Sequence, residues 1–336
     1  TKVTGKVFRI QASGDDSDYD FTGEEIPRTN LDEINKADLP TIRDAARFML
    51  GCIYRCSTND KLIHTRLSNE AGIVVQNTAD ILAKSDSGST VVEDSTYHEI
   101  YCKIRKSDYF KKNNTYSAMV FKPYTIHPID TKNALNTFSG FKWQIDPEIT
   151  KKKDCRTLWN HIKKNFSSEK ERDYVLDWLA YKVQNPVQKT CCLVIYSSQE
   201  GTGKSLFQTI VNNIFMYKIY SAEIEDLERD VLSDFNGITK DKIILSIGEM
   251  HAHGKSVSNI EKFKQLITSS ATTINQKGKD QKIHENCVSY TISTNHISAL
   301  KIGPENRRFS VVDFGAKFLK NNEYFDKVHS RLEDDD

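Results

Sequence analysis

The sequence predicts an α/β protein whose C-terminal half is a parallel sheet held between helices. Three observations predict it. Cys191–Tyr196 is a short apolar run of β-formers that leads through a Gly-rich stretch into a helical pattern, Leu206–Phe215. Asp241–Met250 contains a second apolar run of the same kind. Val288–Asn295 reads as a third strand. Short apolar runs of this type are the signature of strands buried on both faces, which is the condition of a parallel sheet covered by helices.

The rest of the chain bounds the architecture. With 336 residues there is room for this core and a smaller companion. The composition, 38% hydrophobic and 28% charged, is that of a soluble globular protein. The formal net charge is +1, whereas a protein that merely coats nucleic acid is strongly basic, so any DNA contact has to be local. No apolar run reaches the ~18 residues of a membrane span. No basic start followed by an apolar stretch marks a signal peptide. The chain starts at Thr1, as it would after removal of an initiator Met or excision from a longer polypeptide. Seven cysteines, an odd number without framework spacing, read as reduced thiols in an intracellular protein. Cys52 and Cys56 with His64 downstream lack a second ligand pair at zinc spacing and read as half-buried thiols.

Three regions follow: residues 1–135 of unassigned function, a helical segment at 136–188, and the sheet-containing region at 189–336. In the first, Ile42–Tyr54 has apolar residues at helical spacing. Between Thr90 and Phe121, Lys103, Arg105, Lys106, Lys111 and Lys112 alternate with Tyr97, Tyr101, Tyr109, Phe110 and Tyr116. Such interleaving is either a single-strand-binding surface or a solvated face over a packed one. The N-terminal region therefore reads as α+β. In the second, Cys155–Phe166 and Glu169–Gln184 read as helices, the latter capped by Ser167 or Ser168 and ended by Pro186.

Ser197-Ser-Gln-Glu-Gly-Thr-Gly-Lys-Ser205 lies between a strand and a helix, the context in which Gly-x-Gly-Lys-Ser becomes a phosphate loop. Gly201 and Gly203 let successive amides point at phosphate oxygens, and the helix N-terminus adds partial positive charge. Lys204 is placed to reach the β- and γ-phosphates, and the Ser205 hydroxyl to ligate Mg²⁺. Glu200, Gly201, Thr202, Gly203, Lys204, Ser205 and Leu206 make up the expected nucleotide contacts. The usual pattern opens on Gly, and Ser198 stands there. The Asp241–Met250 strand ends in Glu249, the candidate base for the attacking water and a candidate Mg²⁺ contact with Ser205. Gly248 stands where many relatives of such ATPases carry a further acid.

Further motifs follow in order. Ile260–Ile267 reads as a helix and Thr272–Ile283 as a hairpin with Lys277-Gly278-Lys279 at its tip; Asn295 ends a strand, and Arg307-Arg308-Phe309 precedes another. This series, across Asp154–Phe314, resembles the superfamily-3 helicases, and more narrowly the poxvirus- and phage-type primase-helicases. The resemblance implies a P-loop, AAA+-like ATPase core, ATP and Mg²⁺ as cofactors, and a homo-hexameric ring translocating on single-stranded or forked DNA. It implies a viral, phage or satellite replication setting inside a host cell, with a primase or polymerase as domain or partner. Carried over by position, Asn295 is the residue that holds the attacking water, Arg307 or Arg308 the finger reaching a neighbour's site, and Lys277 and Lys279 the pore lysines that meet DNA. A competing expectation is a nucleotide-dependent origin-binding or DNA-remodelling ATPase with little unwinding activity.

Overall fold

The computed structural model describes residues 19–22, 24, 26, 39–57, 62–65, 73–76, 91–92, 95–124, 134–138, 140–141, 156–248, 257–278, 281–300, 302–303 and 305–333. The chain divides into two compact units, one of residues 1–120 with 127–139, the other of 121–126 with 140–336.

In the first unit, α1 (Ile42–Cys52) starts at Thr41, whose hydroxyl accepts from the Asp44 N–H at 3.1 Å. Ile42, Ala45, Ala46 and Met49 form its buried stripe. The helix ends two residues before the spacing of apolar residues does, because Ile53 turns extended (φ −113°, ψ 129°) and begins β1 (Ile53–Cys56). β1 pairs antiparallel with β2 (Leu62–Thr65), which pairs antiparallel with β3 (Ile73–Gln76). A short hairpin, β4 (Val91–Val92) and β5 (Ser95–Thr96), leads into α2 (Tyr97–Ile104) and α3 (Asp108–Asn113). β6 (Thr115–Tyr116) then pairs parallel with β1. β7 (Ala118–Val120) and β8 (Ala134–Asn136) form a separate parallel pair.

The basic and aromatic residues of this stretch separate by face. Tyr97, Tyr101, Phe110 and Tyr116 are buried, and the first three of them pack with Phe21 and Met49 in one core. Arg105, Lys106, Lys111 and Lys112 are exposed. These buried rings are core residues and are not presented for stacking on bases. Cys52 is likewise fully buried. Among the described residues no His, Cys, Asp and Glu cluster could hold a metal.

The second unit opens with α4 (Arg156–Lys164) and α5 (Glu169–Gln184). Ser168 caps α5 reciprocally: its hydroxyl accepts from the Glu171 N–H at 3.2 Å and donates to the Glu171 carboxylate at 2.8 Å. A five-stranded sheet follows in the order β10-β11-β14-β9-β15, every pairing parallel. Its strands are β9 (Cys192–Tyr196), β10 (Ser221–Ile224), β11 (Ile244–Ile247), β14 (Ser289–Thr294) and β15 (Phe309–Asp313).

Helices cover both faces. α8 (Val257–Thr268) lays Ile260, Phe263 and Ile267 on one face, against Val194, Leu245, Ile247, Tyr290 and Ile292. Ser246, alternating with Leu245 and Ile247, faces α6 (Lys204–Ile214) and donates to Asn212 Oδ1 at 2.8 Å. α6 is tied further by Gln208 Nε2, which donates to the Ile247 carbonyl at 3.0 Å. α7 (Leu227–Asp230) connects β10 towards β11. The expected hairpin is present as β12 (Ala271–Ile274) and β13 (Lys282–Glu285), paired antiparallel. After β15 comes α9 (Asn322–Glu333), an element absent from the sequence reading. Among the described residues no helix is long and apolar enough to cross a membrane.

Candidate functional site

The site is built where parallel strands end. β9 stops at Tyr196, and a Gly-rich loop carries the chain to α6. Ser197 is buried; its N–H donates to the Thr294 carbonyl at 3.2 Å, so the loop starts pinned to the end of β14. Gly201 (φ +71°) and Gly203 (φ +94°) take left-handed backbone that side chains disfavour. Gly203 is the N-cap of α6 and offers no side-chain cap, which leaves the first-turn amides without a side-chain acceptor at the positive end of the helix dipole. Thr202 and Leu206 are buried, while Glu200 and Ser205 are exposed.

Lys204 is the first residue of α6 and is 9% exposed. Its ammonium donates to Asn295 Oδ1 at 2.5 Å, to the Gln199 carbonyl at 3.1 Å and to Thr202 Oγ1 at 3.4 Å. The contact with Asn295 spans 91 positions of sequence. It follows from topology: β9 and β14 are parallel neighbours with Tyr196 opposite Thr294, so the residues after both strands meet. β11 ends at the same edge, with Ile247 opposite Ile292. Gly248 follows it and donates to the Ile224 carbonyl at 3.0 Å. Glu249 comes next in sequence and lies outside the described residues.

Other expected residues stand elsewhere. Arg307 and Arg308 precede β15, whose first residue, Phe309, is opposite Cys192 at the start of β9. They are therefore at the opposite edge of the sheet from the loop, about 13 Å of strand away. Arg307 is exposed; Arg308 is half-buried, with its Nε buried and without a hydrogen-bond partner among the described residues. Lys277 is exposed at the hairpin tip beside Gly278, and Lys279 lies outside the described residues. The hairpin is held where β12 enters the turn by Asn236, whose amide donates to the Thr273 carbonyl at 2.8 Å and accepts from the Asn275 N–H at 2.9 Å. The structure thus brings Lys204 and Asn295 together and leaves Arg307, Arg308 and Lys277 apart from them.

Residues that sequence reasoning missed press on the loop from outside. His161 of α4 is fully buried. Its Nε2 lies 3.4 Å from the Gly203 carbonyl, and its Nδ1 lies 3.0 Å from the Tyr324 hydroxyl and 3.1 Å from Asn165 Nδ2. An amide nitrogen only donates, so Nδ1 accepts and Nε2 carries the proton toward Gly203. Burial, opposed by the Gly203 hydrogen bond, holds the pKa of His161 down at about 4, so the ring is neutral at pH 7. Phe325 of α9 completes the wall: a Cβ on Gly203 would stand 2.7 Å from Phe325 Cε1 and 2.9 Å from His161 Cε1. The helical spacing of Tyr324, Phe325 and Val328 was the available signal for α9.

A family model described as a family of unknown function (DUF5906) matches residues 195–308. No curated protein matches the chain. Among solved structures, the chain is similar to the apo structure of the NrS-1 C-terminal region, with a TM-score of 0.59 at 19% identity over 83% of this chain and 64% of that one. An A-form apo structure of the same region gives a TM-score of 0.56 at 18% identity, over 83% of this chain and 63% of that one. A JCV helicase bound to a small molecule gives 0.36 at 13% identity over 52% of this chain and 51% of that one, too low to establish a shared fold. The chain spans less than two thirds of the NrS-1 region, and the likeness shows the fold alone. That fold is a mixed α/β one, whose five-stranded parallel sheet between helices is consistent with a nucleotide-binding core.

Proposed function

We propose that this chain is an ATP-dependent DNA helicase of the superfamily-3 kind, working as a ring on single-stranded and forked DNA. One observation carries the reading: Lys204, at the start of the helix after a Gly-rich loop, meets Asn295 at 2.5 Å from the end of the neighbouring strand. Among the described residues the Lys204 ammonium donates to three neutral oxygens at the start of a helix whose first-turn amides have no side-chain cap, an arrangement that suits a phosphate chain. Mg²⁺, held by Ser205 and Glu249, would supply charge neutralisation at the β- and γ-phosphates. Within the chain, Lys204 turns its ammonium to the phosphate oxygens. Asn295 orients a water on the γ-phosphorus, and Glu249 takes its proton as the bond to the ADP oxygen breaks.

The distance of Arg307 and Arg308 from their own loop supports a trans role. A finger at the far edge of the sheet serves the site of a second copy, which links hydrolysis to assembly into a hexamer. Lys277 and Lys279 would then form a ring of charge that meets DNA phosphates. The motor is residues 189–336, acting inside a host cell with a primase or polymerase as domain or partner. The test is ATP hydrolysis and strand displacement on forked DNA, with Lys204→Ala as control. Wild-type turnover in Lys204→Ala would remove the site assignment. A second reading, a DNA-remodelling or origin-binding ATPase with little unwinding, is favoured by Gly248. Among the described residues a Cβ there would meet only the Ile224 carbonyl at 3.7 Å, ordinary contact, so the β-carbon of an acid is not excluded by them. Robust hydrolysis without strand displacement would select it.

A further inference from the structure

The chain after β15 returns across the Gly-rich loop before entering α9. Leu319 N–H donates to the Ala316 carbonyl and Asn321 N–H to the Phe318 carbonyl, both at 3.0 Å, which makes a tight double turn. Asn321 caps α9, its side chain accepting from the Tyr324 N–H at 3.0 Å. Phe318 stacks on Tyr324 with ring centroids 3.7 Å apart and planes at 6°. Between these fixed points Lys320 donates its N–H to the Gly201 carbonyl at 3.2 Å, so the turn is attached to the loop itself.

Lys320 has φ +54°, a left-handed conformation that Gly or Asn adopts with less strain. A lysine in that position therefore needs a reason, and its side chain supplies one. Lys320 Cγ lies 3.7 Å from where a Cβ on Gly201 would stand, so the stem runs along the rim of the loop. The residue is exposed, and among the described residues its ammonium has no ion-pair partner. Lys204 is the loop's own cation, whereas a triphosphate carries about four negative charges, which one ammonium, a helix dipole and one Mg²⁺ leave incompletely compensated.

We propose that Lys320 is a second phosphate-binding cation, supplied in cis by the C-terminal segment and directed at the β- and γ-phosphates. The proposal rests on reading Gly201–Ser205 as a nucleotide site. Glu200 is the competing partner: exposed and next to Gly201, it would make Lys320 a surface ion pair.

The test is calorimetric titration of the full chain with ATP, ADP and AMP in the presence of Mg²⁺. The proteins are wild type, Lys204→Ala, Lys320→Ala, Lys320→Arg and Lys317→Ala, the last an exposed lysine of the same turn. Lys320→Ala should weaken ATP by about tenfold, as expected for an exposed charge-assisted contact. It should weaken ADP less and leave AMP unchanged. Lys320→Arg should restore ATP affinity, and Lys317→Ala should match wild type. If Lys320→Ala binds ATP like wild type while Lys204→Ala does not, the nucleotide site stands and the inference about Lys320 falls. Equal weakening of ATP, ADP and AMP would overturn it too, because it would mean a deformed loop and not a lost charge. If wild type binds no ATP, the reading of the loop falls and this inference with it.

Discussion

Replacing Gly203 by Ala tests whether α4 and α9 truly wall the loop. Two costs add. At φ +94° a Cβ meets the backbone, which costs about 1–2 kcal/mol in left-handed conformation. The new methyl would also sit 2.7 Å from Phe325 Cε1 and 2.9 Å from His161 Cε1, and overpacking of that kind costs about 1–3 kcal/mol. The sum is about 2–5 kcal/mol, a large part of the stability of an ordinary domain. Gly278→Ala is the matched control. Its φ is +77°, but among the described residues nothing lies within 4 Å of the added Cβ, so the backbone cost alone is expected. Equilibrium urea denaturation should therefore place Gly203→Ala about 1–3 kcal/mol below Gly278→Ala. Adding Phe325→Leu should recover part of the loss in the Gly203→Ala background and none in the Gly278→Ala background. Equal losses for the two glycine variants would refute the contact of His161 and Phe325 with the loop.

Three further outcomes follow from the same geometry. Asn295→Ala should retain ATP binding and lose about 10²–10³-fold in turnover, since it removes a polar group that acts on the attacking water; steady-state ATPase with parallel binding measurements checks it, and unchanged turnover would leave Asn295 as a mere strand end. Lys277→Ala with Lys279→Ala should leave DNA-free hydrolysis intact and flatten the salt dependence of single-strand affinity, and an unchanged slope would make the hairpin an outer loop. Lys182, whose ammonium donates to the Pro186, Gln188 and Cys287 carbonyls at 2.8 Å each, has its pKa pushed by burial down to about 7; the folded state then binds fewer protons than the unfolded one between about pH 7 and pH 10, so stability rises with pH across that window, and Lys182→Met should reduce the rise while leaving three carbonyls unsatisfied, as urea midpoints at pH 7 and pH 9 would reveal.

Much of the second unit was legible because its signals are local. The run that became β9 is apolar throughout, and those that became β11 and β14 mix apolar residues with small hydroxyls that are buried with them, as suits strands covered on both faces. Ser168 and Glu171 announce the start of α5 through a side-chain pair three residues apart. The hairpin was visible in its charged tip around Gly278. What stayed hidden depends on distant sequence. His161 is an ordinary histidine in an ordinary helix until α9 brings Tyr324 to its Nδ1 and the loop brings Gly203 to its Nε2. α9 itself buries few residues, Val328 being its fully buried one among the described residues, so its apolar spacing was too sparse to register. The aromatic residues of α2 and α3 carried an ambiguity that no local pattern resolves: packing alone decides that Tyr101 and Phe110 face the core. The Ile42–Tyr54 pattern ran past the end of α1 because Ile53 is apolar in either a helix or a strand, and its extended backbone was set by pairing with His64.

Two departures from the helicase pattern differ in kind, and the backbone separates them. Ser198 replaces a glycine, yet its backbone is outside the left-handed region and its side chain is exposed, so a serine there costs the loop nothing. The positions that do require glycine are Gly201 and Gly203, and both retain it. Gly248 is the reverse case: its backbone is outside the left-handed region, and among the described residues a Cβ there would make only ordinary contact with the Ile224 carbonyl. What an acid there would have supplied is charge beside the phosphates. The cation count around the loop then matters more than usual, because with one carboxylate fewer the balance at the site shifts toward positive groups. On the proposed reading, such a site would favour the phosphate chain through Lys204, the α6 amides and Lys320, and would depend less on a divalent ion to bridge it to protein carboxylates. On that reading nucleotide affinity should be carried mainly by the basic residues and the backbone, with Glu249 the one carboxylate left to serve both Mg²⁺ and the proton of the attacking water.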